Sequence, residues 1–283
     1  MHEIRKILVP TDFSPSSSQT LSYALWFADH VDASLDLLHV VYPGTDVMDF
    51  PSMAAQVTKV QVDTAQQVMQ VFIDEAMTRV QSIANMKNVP VIRSKVEVGT
   101  PGNIIATAAK DLASDLIIIG TRGEHNRLEI AFGSVTTSTL AKSTVPVLVV
   151  PAELTSMQIK TLGFATSLDE SDPFRIWQAA QMLSRFKASL QIIHVRRSPD
   201  EETKVDLEVI KNFFEDKKFA PKISFHETTN ADIEEGLEDF VSDYNIDLLI
   251  MHSPKRNLFE RIGHHSVSRK MALYSRVPLL ILK

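Results

Sequence analysis

Short apolar runs alternate with longer amphipathic segments in the first half of the chain. The runs are strand-sized, rich in β-branched residues and bounded by proline, glycine or aspartate, and they cover residues 7–9, 35–41, 91–98, 116–119 and 147–150. Between them, apolar residues recur at intervals of three and four over residues 16–30, 57–83 and 103–112, a spacing typical of helices. Strands that alternate with helices predict a doubly wound α/β fold with a parallel sheet covered on both faces.

The second half of the chain repeats this pattern. Ala-Ser-Leu followed by His-Val occurs at residues 33–40 and again at 188–195, an offset of 155 (188 − 33). Two later motifs, at 115–118 and 145–148, recur at 247–250 and 277–280, an offset of 132 (247 − 115). The offset falls by 23 (155 − 132), which places extra residues in the first copy between residues 41 and 98. The duplication predicts two tandem domains with five-stranded parallel sheets, residues 1–152 and 157–283, the second copy starting near Ile159.

Composition agrees with two globular domains and excludes several classes of protein. A length of 283 residues fits two domains at about 150 residues each, and 44% hydrophobic with 23% charged residues is an ordinary globular balance. No apolar run approaches the roughly 18 residues that span a bilayer, so we expect no membrane association. A net charge of −6 argues against a nucleic-acid-binding protein, and zero cysteines with no signal peptide predict a cytoplasmic one.

The residues that could bind a ligand follow the predicted strands. Gly120-Thr121-Arg122-Gly123 comes directly after one strand, and nine residues later Gly133-Ser134-Val135-Thr136 opens a helix. Glycines let a ligand approach the backbone, and the N–H groups of a helix start, with the hydroxyls of Ser134 and Thr136, suit a phosphate. Pro10-Thr11-Asp12 ends the first strand, where the carboxylate could accept hydrogen bonds from ribose or a base amine. Each element also has a purely structural interpretation: the glycines could form turns, and the serine and the aspartate could cap helices.

Together these motifs resemble the universal stress protein family, in its ATP-binding branch with tandem domains. The resemblance rests on Gly-x2-Gly-x9-Gly-Ser at 120–134, Pro-Thr-Asp-Phe-Ser at 10–14, His-Val at 39–40 and the apolar run at 145–150. It implies an adenine nucleotide alpha hydrolase-like, Rossmann-like fold that binds ATP, with AMP or ADP as alternatives and Mg²⁺ as a candidate companion. The residues implied to contact the nucleotide are Pro10, Thr11, Asp12, Val40, Gly120, Arg122, Gly123, Gly133, Ser134, Val135 and Thr136.

No catalytic residue accompanies this motif. The sequence has no Gly-Lys-Ser/Thr phosphate loop and no Ser-Gly-Gly-x-Asp-Ser pyrophosphatase loop, and no nucleophile, general base or metal-ligand set is evident. The sequence therefore favours a stress-response regulator that binds nucleotide with little or no turnover. A protein-interaction module with no nucleotide requirement is the alternative, and an adenine-nucleotide hydrolase is a third possibility. The resemblance also implies that the two domains pair through their last strands, with a homodimer as a further option.

The second copy has lost the glycine motif. The offset of 132 places His252, Lys255, His265 and Ser266 where Gly120, Gly123, Gly133 and Ser134 stand, so we expect no ATP there. The histidines and cations of 252–265 are interpreted as a loop filled in after loss of the ligand, with a site for a small anion or another regulatory ligand as the alternative. The acidic runs 200–202 and 234–235 are predicted to begin helices.

Overall fold

The computed structural model describes residues 3–43, 51–121, 132–154, 156–215, 222–252 and 277–283, with side chains described from residue 55 in the second range. The chain divides into two compact units, which change over between Ala152 and Glu153. Among the described residues, no helix combines the length and apolar character that a membrane span requires.

The first unit is a parallel sheet with helical crossovers. Its elements in chain order are β1 (Lys6–Thr11), α1 (Pro15–Val31), β2 (Ser34–Val41), α2 (Pro51–Ile83), β3 (Ile92–Val98), α3 (Pro101–Asp111), β4 (Leu116–Gly120), α4 (Ser134–Lys142) and β5 (Val147–Val150). The strand order is β3-β2-β1-β4-β5 and every neighbouring pair is parallel. The order reverses between β1 and β4, and it is at such a switch point that open α/β sheets bind ligands.

The second unit repeats this order. It contains β6 (Thr161–Ala165), α5 (Asp172–Met182), β7 (Ser189–Arg196), α6 (Leu207–Glu215), β8 (Ile223–Thr229), α7 (Ile233–Asp243), β9 (Leu248–His252) and β10 (Leu279–Leu282). Its strands run β10-β9-β6-β7-β8, again all parallel. The prediction of two tandem, parallel, doubly wound α/β units is confirmed.

Burial explains why the central strands could be predicted from the sequence. Ile7, Leu8 and Val9 in β1 are fully buried, as are residues 116–118 in β4, because helices cover both faces of the sheet. The edge strand β3 is mostly exposed or half-buried along its length. A continuous apolar run therefore marks the strands that flank the switch point.

The extra residues of the first copy belong to one long helix. Helix α2 has 33 residues, whereas its counterpart α6 has nine among the described residues, which stop at Glu215, a difference of 24 (33 − 9). Helix α2 begins at Pro51, earlier than the predicted 57, since proline is well suited to the first turn of a helix. The first domain thus has a second long helix, α2, beside β2, and the second domain has no helix of that length there among its described residues.

One of the two acidic runs does not begin a helix. Glu234 and Glu235 lie in the first turn of α7, as predicted, and their N–H groups are capped by Asp232. Residues 200–202, in contrast, precede α6 by several residues, so that prediction is wrong. The carboxylate of Glu201 instead accepts the Arg197 N–H at 2.6 Å. A hydrogen bond to a nearby backbone N–H outweighs the weaker preference of acids for helix starts.

Candidate functional site

A tight turn follows β1 and fixes the first part of the site. The Thr11 hydroxyl donates to Ser17 Oγ at 3.1 Å and accepts the Phe13 N–H at 3.1 Å. The Ser14 N–H donates to Asp12 Oδ1 at 3.1 Å, and the Ser14 side chain caps α1. Phe13 has a left-handed backbone, with φ +63°. Asp12 is therefore not the helix cap that the sequence offered as an alternative, because Ser14 is the N-cap; the carboxylate of Asp12 instead holds the N–H of that cap residue, and Asp12 is exposed at the sheet edge.

The end of β4 and the start of α4 are bonded to each other. The Gly133 N–H donates to the Thr121 carbonyl at 2.8 Å, and the Thr136 hydroxyl donates to the Gly120 carbonyl at 2.7 Å. Gly133 is the N-cap of α4, and Ser134 and Val135, the first two helical residues, are exposed. The first N–H groups of a helix have no intrahelical acceptor, and α4 has no acidic residue in its first turn. This helix start can therefore receive an anion.

A cleft of about 350 Å³ opens between the end of β2 and α2. Its lining residues are Phe13, His39, Val40, Val41, Tyr42, Val60, Gln61, Thr64, Ala65 and Val68. The ring of His39 stacks on Phe13 with centroids 4.4 Å apart and planes 24° apart, and Phe72 meets Phe13 edge-on at 5.3 Å. The cleft thus combines an aromatic and aliphatic wall with a few polar groups, the character of a small-molecule site.

Nine of the eleven residues predicted from the sequence are described. Pro10 and Thr11 end β1 and Asp12 follows it, Val40 lines the cleft at the end of β2, Gly120 ends β4, and Gly133, Ser134, Val135 and Thr136 form the start of α4. Arg122 and Gly123 lie outside the described residues. The hydroxyls of Thr11 and Thr136 donate to protein acceptors, which gives both residues a positioning role.

The sequence interpretation missed the α2 side of the cleft. Gln61 and Thr64 belong to a helix that was predicted from its amphipathic spacing alone, and His39 belongs to a predicted strand, although it is half-buried and lines the cleft. The one available signal was the row of exposed apolar residues on α2, including Val60 and Val68. A row of that kind does not by itself say what it faces.

The second domain keeps the turn after its first strand but changes what surrounds it. The Thr166 carbonyl accepts from His194 Nδ1 at 3.0 Å, as the Thr11 carbonyl does from His39 at 2.8 Å. Asp172 stands where α1 has Ser17 and is 1% exposed. It accepts the Thr166 hydroxyl at 2.6 Å, and its Oδ1 lies 3.9 Å from Nδ1 of His252. A buried carboxylate and an imidazole thus replace the serine and glycine of the first domain.

The segment before α6 closes the second domain over this turn. The Val205 N–H donates to the Leu168 carbonyl at 3.2 Å, and Lys204 pairs with Asp169 at 2.7 Å. The hydrogen bond from Lys204 is the main reason that the pKa of the Asp169 carboxyl lies below its usual value. Leu168 is fully buried and His194 is 4% exposed. Lys255, His265 and Ser266 lie outside the described residues, within which no group of three or more metal-ligating side chains occurs.

The known proteins that resemble this chain match either its first domain alone or its whole length. A model of the universal stress protein family matches residues 3–151. A universal stress protein of Methanocaldococcus jannaschii is 30% identical over 152 residues, 52% of this chain and 94% of that protein. Universal stress protein A homolog 2 of Coxiella burnetii is 29% identical over 151 residues, 53% of this chain and 97% of that protein.

One solved structure matches along the whole chain. The crystal structure of a universal stress protein from Archaeoglobus fulgidus covers 100% of this chain and 97% of its own, with a TM-score of 0.73 and 18% identity. At that identity the match concerns the fold, whereas the family model concerns the sequence of the first domain and extends over more than half of the chain. The protein belongs to the universal stress protein family.

Proposed function

We propose that the first domain binds an adenine nucleotide at the carboxyl edge of its sheet. The observation that carries this proposal is the bonded junction of Gly120 with the start of α4, which lies at the switch point beside Asp12. ATP is the proposed ligand, with AMP and ADP as alternatives, and Mg²⁺ would accompany the phosphates of ATP. The family resemblance is the reason to prefer adenine nucleotides to other phosphate compounds.

Each part of the ligand has a counterpart in the site. The N–H groups of Ser134 and Val135 and the Ser134 hydroxyl suit the phosphates, because a helix start supplies donors and a favourable dipole. The exposed Asp12 carboxylate suits the ribose hydroxyls, and the cleft beside Val40 suits the base. Arg122 and Gly123 belong to the same proposed phosphate site by the sequence motif.

We propose that the bound nucleotide is a regulatory ligand in a cytoplasmic stress response, with little or no turnover. The proposal has three further parts. The domains span residues 1–152 and 157–283, they pair through β5 and β10, and the second domain binds no nucleotide. Sedimentation analysis would distinguish the monomer that intramolecular pairing implies from a homodimer.

Ser134→Glu tests the phosphate site directly. Glutamate at the first position of a helix is compatible with folding because it interacts well with the helix dipole. It would place a negative charge within a few ångströms of the phosphates, so calorimetry on the full chain should find ATP affinity lowered by about tenfold or more.

Ala141→Glu is the matched control for this experiment. It adds the same charge to an exposed position of α4, seven residues and so about 10 Å further along the helix. We expect less than about a twofold change, since that distance is close to the Debye length. Unchanged binding in Ser134→Glu, or no ATP binding by the wild-type chain, would refute the proposal.

The second candidate function is a protein-interaction module with no nucleotide requirement. The closed and substituted site of the second domain favours it for that half of the chain. Nucleotide that copurifies with the protein, detected as excess absorbance at 260 nm, would support the first candidate, and its absence together with absent calorimetric binding would support the second.

A further inference from the structure

Helix α2 has two apolar faces. The first packs on α1 and the sheet and consists of buried side chains: Ala65, Met69, Phe72, Ile73, Ala76 and Val80. The second consists of four valines that are 39% to 60% exposed: Val57, Val60, Val68 and Val71. Together with the exposed Thr64 they form one row at helical spacing, which we call the valine stripe. Single exposed apolar residues are ordinary, whereas a continuous row of them is typical of a surface that binds a partner.

The valine stripe is symmetric about Thr64. Its members are separated by steps of three, four, four and three residues, so the row is the same in either direction along the helix. In an antiparallel pair of α2 helices with a two-fold axis beside Thr64, Val57 meets Val71 of the other copy, and Val60 lies at the level of Val68 of the other copy. A symmetric contact between identical subunits requires this self-complementarity, whereas a contact with an unrelated protein does not.

The charges around the stripe also permit two copies to approach each other. Between residues 55 and 73 the sequence has only two charged residues, Lys59 and Asp63, which are of opposite sign and lie outside the stripe. Gln61 and Gln67 flank it, three residues before and three residues after Thr64. The repulsion expected from a net charge of −6 is therefore weakest at this face.

The valine stripe is distant from the strand proposed for pairing of the domains. Helix α2 packs against β2 and β3, whereas β5 is at the other end of the strand order of the first sheet. The 14 steps from Val57 to Val71 (71 − 57) span about 21 Å, which at a helix width of about 10 Å gives about 200 Å² per copy. Stable interfaces bury about 800 Å² per partner, so the stripe alone supports a weak contact.

We propose that the valine stripe binds the valine stripe of a second copy of this chain, in an antiparallel, two-fold symmetric dimer. We expect a dissociation constant on the order of 100 µM, so the chain is monomeric at a few micromolar and associates where it is concentrated. Val60 and Val68 also line the cleft beside β2, so the dimer sets the clefts of the two copies next to the contact. This inference does not depend on the proposed nucleotide site.

A cysteine at the symmetry axis tests the pairing of the helices. The chain has no cysteine, so Thr64→Cys introduces a single thiol. Packed helix axes are about 8–10 Å apart, which sets facing Cα atoms about 5 Å apart, within the reach of a disulfide. Under mild oxidation at about 100 µM, Thr64→Cys should form a linked dimer at least about tenfold faster than Gln66→Cys, which is exposed on another side of α2. Equal rates would overturn the inference.

An exchange of charges tests the antiparallel direction, with sedimentation of the full chain at about 10–500 µM as the measurement. Val57→Glu and Val71→Lys each place an unpaired charge in the contact and should weaken the dimer by about tenfold or more. The double variant sets the new carboxylate of one copy against the new ammonium of the other and should recover most of the loss. The two positions are about 21 Å apart on one helix, too far to pair within a copy. Gln66→Glu, outside the stripe, should leave association unchanged.

Three results of the sedimentation experiment would overturn the inference. They are a wild-type chain that stays monomeric at the highest concentration, a dimer that neither single variant weakens, and a loss that the double variant does not recover. Both substituted valines are exposed, so every variant should keep the circular dichroism of the wild type. Neither experiment measures nucleotide binding, so failure of the proposed nucleotide site and failure of this inference are distinguishable.

Discussion

The packing of α3 on α4 should be very sensitive to one added methyl group. Gly102, in the first turn of α3, lies against Ser138 of α4. A Cβ on Gly102 would be 2.2 Å from Ser138 Oγ and 2.5 Å from Ser138 Cβ. Ordinary carbon contacts are about 3.5–4.0 Å, so Gly102→Ala forces the helices apart by about 1 Å. Overpacking of this kind costs about 1–3 kcal/mol, offset in part by the better helix propensity of alanine.

The same change should weaken nucleotide binding. Helix α4 presents Ser134 and Val135 and is tied to Gly120 by Thr136, so displacement of the helix moves the proposed phosphate donors. We expect Gly102→Ala to lower the free energy of unfolding of the first domain by about 1–2 kcal/mol and ATP affinity by several-fold.

Tryptophan fluorescence can isolate the first domain in this experiment. The chain has two tryptophans, and Trp177→Phe leaves only Trp26, which is buried in α1. Urea midpoints of Trp26 fluorescence then report the first domain. Ser138→Gly removes both clashing atoms and should rescue Gly102→Ala, whereas Ser138→Ala retains the Cβ contact and should rescue less. Additive effects in the double variant, or a neutral Gly102→Ala, would refute the packing argument.

Three other predictions concern the second domain, with Trp177 as the probe after Trp26→Phe. Burial lowers the pKa of His226, so the folded state resists protonation and the urea midpoint should fall as pH drops below about 6.5; His226→Gln should flatten that dependence. The lowered pKa of Asp169 means that its pair with Lys204 stabilises the fold at neutral pH and is lost as the pH falls through that lowered pKa, so the destabilisation by Lys204→Ala should shrink progressively in acid. Asp172→Ala removes the acceptor of a buried threonine hydroxyl and should cost about 2 kcal/mol or more, measured as a midpoint shift.

Much of the fold was predictable because burial shows directly in the sequence. The strands at 7–9 and 116–119 are continuous apolar runs, since helices cover both faces of the central sheet. The duplication followed from the repeated motifs. The start of α2 was predicted six residues late (57 − 51), because the 3.6-residue pattern is weak in its first turns.

The site was only partly predictable, because its chemistry depends on tertiary contacts. The sequence placed Gly120 and Gly133 at strand and helix ends, but it could not show that Thr136 uses its hydroxyl to join them. That His39 lines a cleft depends on the position of α2, which leaves no local signal in the sequence around His39. The acidic run at 200–202 misled for a similar reason, since its hydrogen-bond partners lie outside the run.

The duplication separates what the fold requires from what a ligand requires. Phe13 and Leu168 both have left-handed backbones, and both histidines bond the preceding strand through Nδ1, so these features persist in the copy proposed to bind no nucleotide. They are therefore properties of the folding unit. What differs is access: His39 lines an open cleft, whereas Nε2 of His194 is buried without a hydrogen-bond partner among the described residues. The shared turn and histidine bond are therefore no sign of a ligand by themselves, and the open cleft beside α2 is what distinguishes the first copy.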